Sequence, residues 1–568
     1  MATPDWGSLY DPGVPRSLAP YPDKTLLDLL REAARERPGF PALWFKGTTI
    51  SYGQLERLVT AASAAFAALG VGRGDRVALL LPNSPQAIVA LLGAWGVGAI
   101  AVPLNPLYTP SELEPLLRDV GCETAVVLTP FYEKVRALKA RVGLRRILAT
   151  RIKEHLPPLT RLLFALFRER RAGHRLGRLE PGDLWLAELL ARHAGDPAPG
   201  VKVSADDEAV VLFTGGTTGS PKGAVGSHRC LLATGMQYAA WGGSEPWEGT
   251  VMLNVPLFHV MGMAAILPVS LVGRGTAALV PNPRDLDDLV ATMRKVRPYF
   301  LPGVPTLYTA LLAHPAVRAG RAGLDRLRLC MAGSAPLMVE TKRRFEELTG
   351  SHICEGYSLT EAMMAATANP LRRDRPGSVG IPHPDVEVRV VDEAGRELPA
   401  GSVGEVLLRA PQLMLRYWNR PRESAEAIRD GWLHTGDLGH LDAEGYLFLA
   451  DRMKDVIKVS GSQVWPREVE EVLAGHPAVA EAAVVGVPDA YQGEAVKAWV
   501  VLRAGQQARA EELRDHCRQR LAAYKVPRHW EFREALPRSH IGKVLRRELR
   551  SSDPRGEEAV VAPGAAGA

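Results

Sequence analysis

Short apolar runs alternate along this chain with segments of helical periodicity, and this alternation limits the fold more than any other feature of the sequence. Uninterrupted runs of buried-strand length stand at residues 77–81, 125–128 and 209–213, and a further run at 327–331 is broken only by Arg328. Strands that are apolar on both faces need helices on both sides, which is typical of parallel sheets. The sequence therefore predicts the α/β class, with a large N-terminal domain of mostly parallel, helix-covered sheets.

Two of the intervening helices have recognisable patterns. A helix over residues 25–37 is predicted from the helical spacing of Leu26, Leu29, Leu30 and Ala33. Ser51 is followed three residues later by Gln54, and this pair predicts a capping box at the start of a helix that runs to Gly70.

Two long uncharged stretches, residues 77–111 and 251–273, are long enough to cross a bilayer. Prolines and glycines interrupt them at Pro82, Pro85, Gly93, Gly96, Gly98, Pro103, Pro256 and Pro268. Such interruptions favour a strand–loop–helix–strand arrangement inside a covered sheet over a transmembrane helix. We therefore expect both stretches to belong to the core.

The composition is that of a globular protein. Of the 568 residues, 46% are hydrophobic and 23% are charged, which excludes a disordered chain. This length allows roughly three or four folding units. The formal net charge of +6 is a weak field over so long a chain. It permits anionic partners such as nucleotides or lipid headgroups, and it does not indicate binding to nucleic acid.

The cysteines are five in number and widely scattered, at Cys122, Cys230, Cys330, Cys354 and Cys517. No pair has the spacing of a metal site or of a redox motif, so neither a disulfide framework nor a zinc site is expected. The first 23 residues lack the apolar run of a signal peptide. A reducing cytoplasmic location fits both observations.

The character of the sequence changes in its second half. After Arg375 it continues as strand pairs with glycine turns, at residues 386–391, 404–408 and 445–449, which predicts a small β-rich subdomain. From residue 453 short strands mix with helices, which predicts a small α+β domain over 453–550 after an N-terminal domain over 1–452. The remaining residues, 551–568, are rich in alanine and glycine and are expected to be disordered.

Residues 161–178 combine apolar side chains with a cluster of arginines. A basic amphipathic helix of this kind can lie in a membrane interface. The alternative is an ordinary surface helix that packs one apolar face against the core. The sequence favours the second interpretation and leaves peripheral membrane contact open.

A glycine- and threonine-rich loop directly follows the apolar run at 209–213. Closely spaced glycines free the backbone so that several N–H groups can converge on phosphate oxygens, while hydroxyls and a lysine add further donors. The residues concerned are Thr214, Gly215, Gly216, Thr217, Thr218, Gly219 and Lys222. Because Gly223 follows Lys222 where a Walker A motif has Ser or Thr, this loop predicts phosphate binding of another kind.

The loop, TGGTTGSPKG, resembles the signature of the adenylate-forming superfamily of acyl-CoA synthetases, luciferases and peptide-synthetase adenylation domains. Other segments resemble that superfamily's motifs in the expected order, at residues 256–262, 332–336, 356–361, 432–437, 451–454 and 537–547. Residues 105–114, the Gly-Gly form of the loop and residues 542–550 are most similar to bacterial long-chain fatty-acyl-CoA synthetases. The resemblance covers about residues 20–550.

The resemblance implies a two-step reaction that uses ATP, Mg²⁺ and coenzyme A. A fatty acid carboxylate attacks the α-phosphate of ATP to give acyl-AMP and pyrophosphate, and the CoA thiol then displaces AMP. The first step depends mainly on positioning and charge neutralisation. By resemblance, the glycine-rich loop with Lys222 holds the β- and γ-phosphates, Thr360 contacts the α-phosphate, and Glu361 holds Mg²⁺.

The remaining site residues are also implied by the resemblance. Tyr357 stacks on adenine beside Gly333, Ser334 and Ala335, and Asp437 accepts the ribose hydroxyls with help from Arg452. Lys543 bridges the carboxylate and the α-phosphate. Lys454 is the hinge about which the small domain rotates between the two steps. Lys458, Ser460 and Gly461 line the pantetheine channel.

Three questions remain open in the sequence. His259 is a gate to the acyl tunnel by resemblance, whereas a lone histidine among apolar residues is otherwise a hydrogen-bonded core residue. Tunnel depth is expected to depend on side chains around Val304, Tyr308 and Gly333. Departures from the superfamily pattern stand at Gly215, Ser358 and Arg416: by resemblance the long-chain branch tolerates Gly215, and with Ser358 and Arg416 we expect activity to be retained at a rate that the sequence leaves open.

Alternatives to a fatty-acid–CoA ligase are a CoA ligase for an aromatic, branched or medium-chain acid and a ligase that delivers its acyl group to a carrier protein. A non-catalytic lipid sensor or scaffold is disfavoured because all the implied reactive residues are present. A hydrolase is disfavoured as well, since the sequence has no G-x-S-x-G nucleophile elbow.

Overall fold

The computed structural model describes residues 4–214, 221–243, 245–334, 337–452, 455–460, 462–489, 491–538 and 544–553. Within these residues the strands form four sheets, which we call sheets I to IV. Sheets I and II are mostly parallel and carry helices, sheet III is antiparallel, and sheet IV is a small mixed sheet near the C-terminus. The predicted α/β class is therefore confirmed.

Sheet I has a parallel centre and antiparallel edges. In spatial order its strands are Ile381–Pro382, Thr367–Ala368, His352–Tyr357, Leu329–Ala332, Phe300–Gly303, Thr250–Leu253, Thr276–Leu279, Pro41–Phe45 and Thr48–Ser51. The central strands are buried along almost their whole length, as expected of a sheet covered on both faces.

Sheet II repeats this design, with parallel pairing except where two antiparallel strands end it on one side. Its strands in spatial order are Arg416–Tyr417, Gly223–Ser227, Glu208–Phe213, Ile100–Pro103, Arg76–Leu80, Thr124–Leu128, Arg146–Thr150 and Leu184–Trp185. The antiparallel turn between Glu208–Phe213 and Gly223–Ser227 is the one that carries the glycine-rich loop.

Sheets III and IV account for the change of character in the second half of the sequence. Sheet III consists of Glu387–Val391, Gly404–Arg409, Trp432–Leu441 and Ile428–Arg429, with Leu447–Arg452 paired to Trp432–Leu441. Sheet IV consists of Ser462–Val464, Ile457–Val459, Gly493–Leu502 and Val479–Asp489, with His529–Phe532 paired to Gly493–Leu502. The strand pairs predicted after Arg375 are confirmed in sheet III.

Helices cover both faces of the parallel sheets. Those of the larger part of the chain are Leu26–Glu36, Tyr52–Ala68, Pro85–Trp95, Pro110–Val120, Tyr132–Leu138, Pro158–Leu163, Leu186–Arg192, His228–Trp241, Leu267–Val272, Leu286–Val296, Pro305–Ala313, Pro315–Arg318, Val339–Thr349 and Pro421–Ala427. Around sheet IV lie Pro466–Ala474, Ala510–Arg518 and Arg546–Ser551. The predicted capping box is confirmed, since the Gln54 amide donates to Ser51 Oγ and Gln54 Oε1 accepts from the Ser51 amide.

The first uncharged stretch is distributed over a strand, a helix and a second strand, Arg76–Leu80, Pro85–Trp95 and Ile100–Pro103, as its prolines and glycines predicted. Every helix of the described residues is too short or too polar to span a membrane. The apolar residues of both stretches are mostly packed into the core instead, with Leu107 as an exposed exception.

The segment over residues 158–168 departs from the favoured prediction. It forms the helix Pro158–Leu163, followed by a wider helical turn over Phe164–Arg168, and neither element has a buried residue. Large apolar side chains remain 47–69% exposed at Leu159, Leu162, Leu163, Leu166 and Phe167. The expectation of one buried face is therefore wrong, because the helix stands on the surface and presents its apolar side chains to solvent.

Candidate active site

The parallel strands of sheet I end at one common edge, and several of the predicted site residues follow these ends, among them His259, Ser334 and Glu361. In open α/β sheets this edge is where ligands bind, because loops of several strands converge there. The segments involved are 254–261 after Thr250–Leu253, 304–310 after Phe300–Gly303, 333–334 after Leu329–Ala332 and 358–361 after His352–Tyr357.

A cavity of about 450 Å³ opens at this edge. Its lining is mainly apolar, with a few polar groups, and consists of Asn254, Val255, Pro256, His259, Met261, Pro283, Arg284, Leu286, Gly303, Val304, Thr306, Leu307, Ala310, Ser334 and Arg538. Its volume is that of a typical small-ligand site.

The sequence associated the positions of His259, Val304 and Tyr308 with the acyl tunnel, and the first two side chains line this cavity. His259 lines it, and the Met261 backbone N–H donates to His259 Nδ1 over 3.3 Å. Val304 also lines it, as expected. Tyr308 does not: it is fully buried behind the cavity, and its hydroxyl donates to the carbonyls of Leu301 and Met331. Its neighbours Thr306, Leu307 and Ala310 line the cavity instead, so the side chains around Tyr308 form the wall and Tyr308 itself lies in the core.

The neck of the glycine-rich loop is fixed by two hydrogen bonds. The Thr214 backbone N–H donates to the Lys222 carbonyl over 2.9 Å, and the Lys222 backbone N–H donates to Thr214 Oγ1 over 3.3 Å. At Gly223 an added Cβ would lie 2.6 Å from a methyl carbon of Val211, so the strand after the loop needs glycine there. The loop residues predicted to touch phosphates, Gly215, Gly216, Thr217, Thr218 and Gly219, lie outside the described residues.

Thr360 and Glu361 begin a single helical turn, Thr360–Ala362, shortly after the sheet I strand His352–Tyr357. The Glu361 carboxylate accepts a hydrogen bond of 2.6 Å from the Tyr417 hydroxyl, and its backbone carbonyl accepts one of 2.8 Å from the Met414 N–H. Both the side chain and the main chain of Glu361 are therefore held by the segment that leads into sheet II.

The three residues after this turn are backbone outliers. Met363, Met364 and Ala365 have φ angles of 45°, 71° and 53°, the left-handed region that residues with a Cβ avoid. Such strain costs about 1–3 kcal/mol for each residue and clusters at functional sites. Thr234 Oγ1 donates to the Met363 carbonyl over 2.8 Å, and Gln412 Nε2 donates to the next two carbonyls. Buried side chains thus hold the strained run that follows Glu361.

A buried histidine supports the same region. His383 is completely buried, its ring centroid lies 4.4 Å from that of Trp241, and its backbone N–H donates to the Ala366 carbonyl. Burial lowers the pKa of His383 to about 3. The ring is therefore uncharged at neutral pH, and it packs beneath the strained run as an aromatic core residue.

On the adenosine side, Tyr357 and Asp437 are joined directly. The Tyr357 hydroxyl donates to Asp437 Oδ2 over 2.6 Å, and both residues are buried. The backbone of Arg452 lies opposite Asp437 in the pairing of Trp432–Leu441 with Leu447–Arg452. Gly333 and Ser334 follow the strand Leu329–Ala332. The structure thus brings together, from two sheets, the residues assigned to adenine and ribose, while Ala335 lies outside the described residues.

The residues assigned to the second step lie on sheet IV. Lys458 is exposed within Ile457–Val459, and its backbone N–H donates to Glu494 Oε2 over 2.7 Å. Ser460 has a φ angle of 50°, and its backbone N–H donates to the Gln492 carbonyl. These contacts stay within the small C-terminal unit. Lys454, Gly461 and Lys543 lie outside the described residues.

The segment that carries Lys543 is closed at its neck. Arg538 and Val544 form an antiparallel bridge, and the Leu545 N–H donates to the Pro537 carbonyl over 2.9 Å. The Arg538 guanidinium pairs with Glu481 at 2.7 Å and also lines the cavity at the edge of sheet I. The small unit therefore contributes a wall to a cavity that is otherwise built by the large unit.

The sequence did not single out Tyr417, Gln412 or Arg538 as site residues. Tyr417 directly follows Arg416, whose side chain pairs with Glu208. The contacts that make Tyr417 and Gln412 functional candidates join segments far apart in the chain, so no local spacing marks them. Arg538 lies inside the recognised segment 537–547, which was the one available signal.

The residues fit a magnesium ion that is shared with a nucleotide. Among the described residues, no group of three or more His, Cys, Asp or Glu side chains could hold a metal by itself. Mg²⁺ is commonly bound by one or two carboxylates together with substrate phosphates and water. Glu361, with its carboxylate oriented by Tyr417, is suited to that role.

Comparison with known proteins agrees with this geometry. The family model "AMP-binding enzyme" matches residues 30–418, and "AMP-binding enzyme C-terminal domain" matches residues 468–543. A long-chain-fatty-acid–CoA ligase of Bacillus subtilis is 38% identical over 555 residues, which is 96% of this chain and 97% of that protein.

Other similar proteins differ in the groups they handle. The fatty acid–[acyl-carrier-protein] ligase ScoC of Streptomyces coeruleorubidus is 33% identical over 547 residues, covering 93% of this chain and 96% of its own. Among solved structures, the anthranilate CoA ligase AuaEII in complex with anthranoyl-AMP superposes with a TM-score of 0.82 at 29% identity, covering 94% of this chain and 98% of that one.

Proposed function

This chain belongs to the AMP-binding enzyme family, and from that premise we propose that it is an ATP-dependent ligase that converts a long-chain fatty acid into its acyl-CoA thioester. One observation carries the proposal: a mainly apolar cavity of about 450 Å³ opens at the same sheet edge as Glu361 and the Tyr357–Asp437 pair. The similarity to the B. subtilis ligase over 96% of the chain supports the same conclusion.

In the first step, the fatty acid carboxylate attacks the α-phosphorus of ATP, and the bond to the pyrophosphate oxygen breaks. The acyl chain lies in the cavity, past His259. Thr214 and Lys222, with the loop between them, hold the β- and γ-phosphates, and Thr360 contacts the α-phosphate. Glu361 would hold Mg²⁺, which would supply charge neutralisation at the phosphates. Tyr357, Ser334 and Asp437 position the adenosine.

Lys543 completes the first step from the small unit. Its ammonium lies between the carboxylate and the α-phosphate and reduces the repulsion between two anions. The bridge between Arg538 and Val544 supports this role, because it flanks the position of Lys543 in the chain and because Arg538 lines the cavity.

In the second step the CoA thiolate attacks the acyl carbonyl, and AMP leaves. We assign residues 1–452 to one moving body and residues 453–550 to another, with Lys454 as the hinge. Rotation withdraws Lys543 and brings Lys458, Ser460 and Gly461 to the reacting carbonyl. Steps gated by such a rotation are common in two-stage enzymes.

A pyrophosphate-release assay with acids from C6 to C18 and with benzoate, each with CoA, with acyl-carrier protein or without an acceptor, tests the proposal. We expect long-chain acids to give the highest kcat/KM, and the CoA thioester to be the product. Preference for benzoate would favour an aromatic-acid ligase, as AuaEII is by name. Transfer to the carrier protein alone would favour the activity that ScoC's name states. Release with none of the acids would overturn enzymatic activity itself.

We place the enzyme in the cytoplasm, with peripheral contact to the inner membrane face through residues 161–178. All five cysteines are buried and unpaired, which suits a reducing compartment. The exposed apolar side chains of 158–168 adjoin Arg161, Arg168, Arg170 and Arg171. Glu169, the acidic residue among them, pairs with Lys153. An apolar face flanked by unbalanced positive charge suits an anionic lipid surface, from which a fatty acid substrate can be taken up.

Vesicle co-sedimentation tests this contact. We expect binding to equimolar phosphatidylcholine–phosphatidylglycerol vesicles and little binding to phosphatidylcholine alone. Because each arginine near an anionic surface contributes about 1 kcal/mol, replacing Arg168, Arg170 and Arg171 by serine should weaken binding about a hundredfold. The matched control replaces Arg318, Arg321 and Arg326 by serine, which removes the same charge from exposed positions elsewhere. Equal binding to both vesicle types, or no effect of the triple variant, would contradict the proposal.

A further inference from the structure

Tyr417 lies at the edge of sheet II, where its strand Arg416–Tyr417 pairs with Gly223–Ser227, the strand that follows the glycine-rich loop. Tyr417 stands opposite Ala224 in this pairing, and the side chain is only 7% exposed. A buried tyrosine normally needs a partner for its hydroxyl, and the identity of that partner shows what the residue does.

The side chain of Tyr417 contacts two groups of opposite charge. Its hydroxyl donates to Glu361 Oε1 over 2.6 Å, and the Lys222 ammonium lies 5.0 Å from the centroid of its ring. The first is a charge-assisted hydrogen bond, and the second has the geometry of a cation–π contact. One residue thus touches both the lysine assigned to the terminal phosphates and the carboxylate assigned to the metal.

Main-chain contacts fix Tyr417 relative to both partners. Its own backbone N–H donates to Ser424 Oγ over 2.9 Å, and the next N–H, that of Trp418, donates to the Gly223 carbonyl over 2.7 Å. On the other side, the Met414 N–H donates to the Glu361 carbonyl. The segment from Met414 to Trp418 is therefore bonded both to the strand after the loop and to the turn that carries Glu361.

We propose that Tyr417 is a positioning residue that couples the phosphate loop to the metal site: its hydroxyl orients the Glu361 carboxylate toward Mg²⁺, and its ring holds Lys222 beside the phosphates. This inference rests on the proposed function. A hydrogen bond to a ligating carboxylate fixes its orientation, and loss of such an outer partner typically lowers metal affinity 10–100-fold. The ring offers the ammonium a partner other than Glu361, so that both charges stay available for the nucleotide.

Calorimetric titration of the full-length protein with ATP, with and without Mg²⁺ and in the absence of any acid, tests the proposal. Tyr417→Phe keeps the ring and removes the hydroxyl. We expect its affinity for ATP without Mg²⁺ to stay within about twofold of wild type, while the affinity gained on adding Mg²⁺ falls by at least tenfold. Tyr417→Leu removes the ring as well and is expected to weaken metal-free ATP binding too, because Lys222 loses its partner.

The matched control is Tyr446→Phe. Tyr446 is 3% exposed, and its hydroxyl donates to the Arg373 carbonyl over 2.8 Å in another part of the large unit. It should leave both affinities unchanged. Thermal unfolding of each variant identifies a general loss of structure.

An equal loss of ATP affinity with and without Mg²⁺ in Tyr417→Phe would overturn the proposal, as would no change at all. A wild-type protein that binds no ATP under either condition would instead contradict the proposed function. The two failures are therefore distinguishable.

Discussion

The side proposed to bind the nucleotide and the side proposed to bind the acyl chain, called below the nucleotide side and the acyl side, are built on different principles. On the nucleotide side, the residues make short, directional hydrogen bonds: Tyr417 to Glu361 and Tyr357 to Asp437, each 2.6 Å long. On the acyl side, a mainly apolar lining surrounds a cavity of about 450 Å³. Even Arg538, a charged residue of that lining, has its guanidinium paired with Glu481.

This difference determines how each side should respond to change. Hydrogen bonds to charged groups are strong and depend on single atoms, so removing one partner is costly. Apolar contacts are proportional to buried area, so their loss is graded. We therefore expect abrupt effects on the nucleotide side and incremental effects on the acyl side.

The largest expected effect is that of Lys543→Ala, which removes the cation proposed to lie between two reacting anions. The rate of acyl-AMP formation should fall by at least about 10²–10³-fold, the usual cost of losing one preorganised electrostatic group. Thioester formation from supplied acyl-AMP and CoA should remain near the wild-type rate. Single-turnover measurements of the two half-reactions check this, and equal losses in both would contradict the domain-rotation mechanism.

Asp437→Asn is expected to have the next largest effect. It removes the negative charge and replaces one of the two accepting oxygens by an amide NH₂, which weakens the contact with Tyr357 and the proposed contacts with the ribose hydroxyls. A hydrogen bond to a charged group contributes about 1.5–3 kcal/mol, so KM for ATP should rise roughly 10–150-fold. KM for the fatty acid should change little, because Asp437 does not line the acyl cavity. Steady-state kinetics with each substrate varied separately test this, and an equal rise in both KM values would refute the separation of the two sides.

The architecture could be predicted from sequence because its signals are local. Apolar runs predicted the buried parallel strands, and the Ser51–Gln54 pair predicted a helix start that the structure confirms. The helical segment over 158–168 shows the limit of such signals. Its apolar spacing is the same whether the face meets a core or solvent, and only the tertiary structure shows that Leu162 and Leu166 are exposed.

The site was accessible from sequence only as far as its motifs extend. Recognised motifs located Glu361, Tyr357 and Asp437, but not the hydroxyl that Tyr417 directs at Glu361 across a large separation in sequence. The acyl side shows the same limit. The sequence located the wall around Val304 and Tyr308, but it did not show that Leu307 would line the cavity while the Tyr308 hydroxyl bonds to two backbone carbonyls in the core.

On the acyl side, chain length should have a graded effect. Burying one methylene contributes about 0.8 kcal/mol, so kcat/KM should rise roughly fourfold with each added CH₂ until the cavity is filled. A homologous series of saturated acids in the pyrophosphate assay measures this slope. A sharp optimum at one length, with steep losses for shorter acids, would show instead that a directional contact at the chain terminus selects the substrate.

The smallest expected effect, and the one that joins the two sides, is that of Arg538→Ala. Among the described residues of the small unit, Arg538 is the one that lines the cavity. Its loss should therefore affect acyl-AMP formation, the step in which Lys543 is proposed to reach the site, and not the second step. We expect a loss of about three- to tenfold in acyl-AMP formation with long acids, since its aliphatic stem covers apolar surface, and much less with C6 acid.

Arg533→Ala is a closely matched control for Arg538→Ala. Both arginines are 29% exposed and pair with a glutamate at 2.7 Å, but Arg533 does not line the cavity. Transfer of a supplied acyl group to CoA should be unaffected in either variant. If Arg538→Ala reduced the rates with short and long acids equally, Arg538 would act only by holding the lysine loop, and the acyl side would be built by the large unit alone.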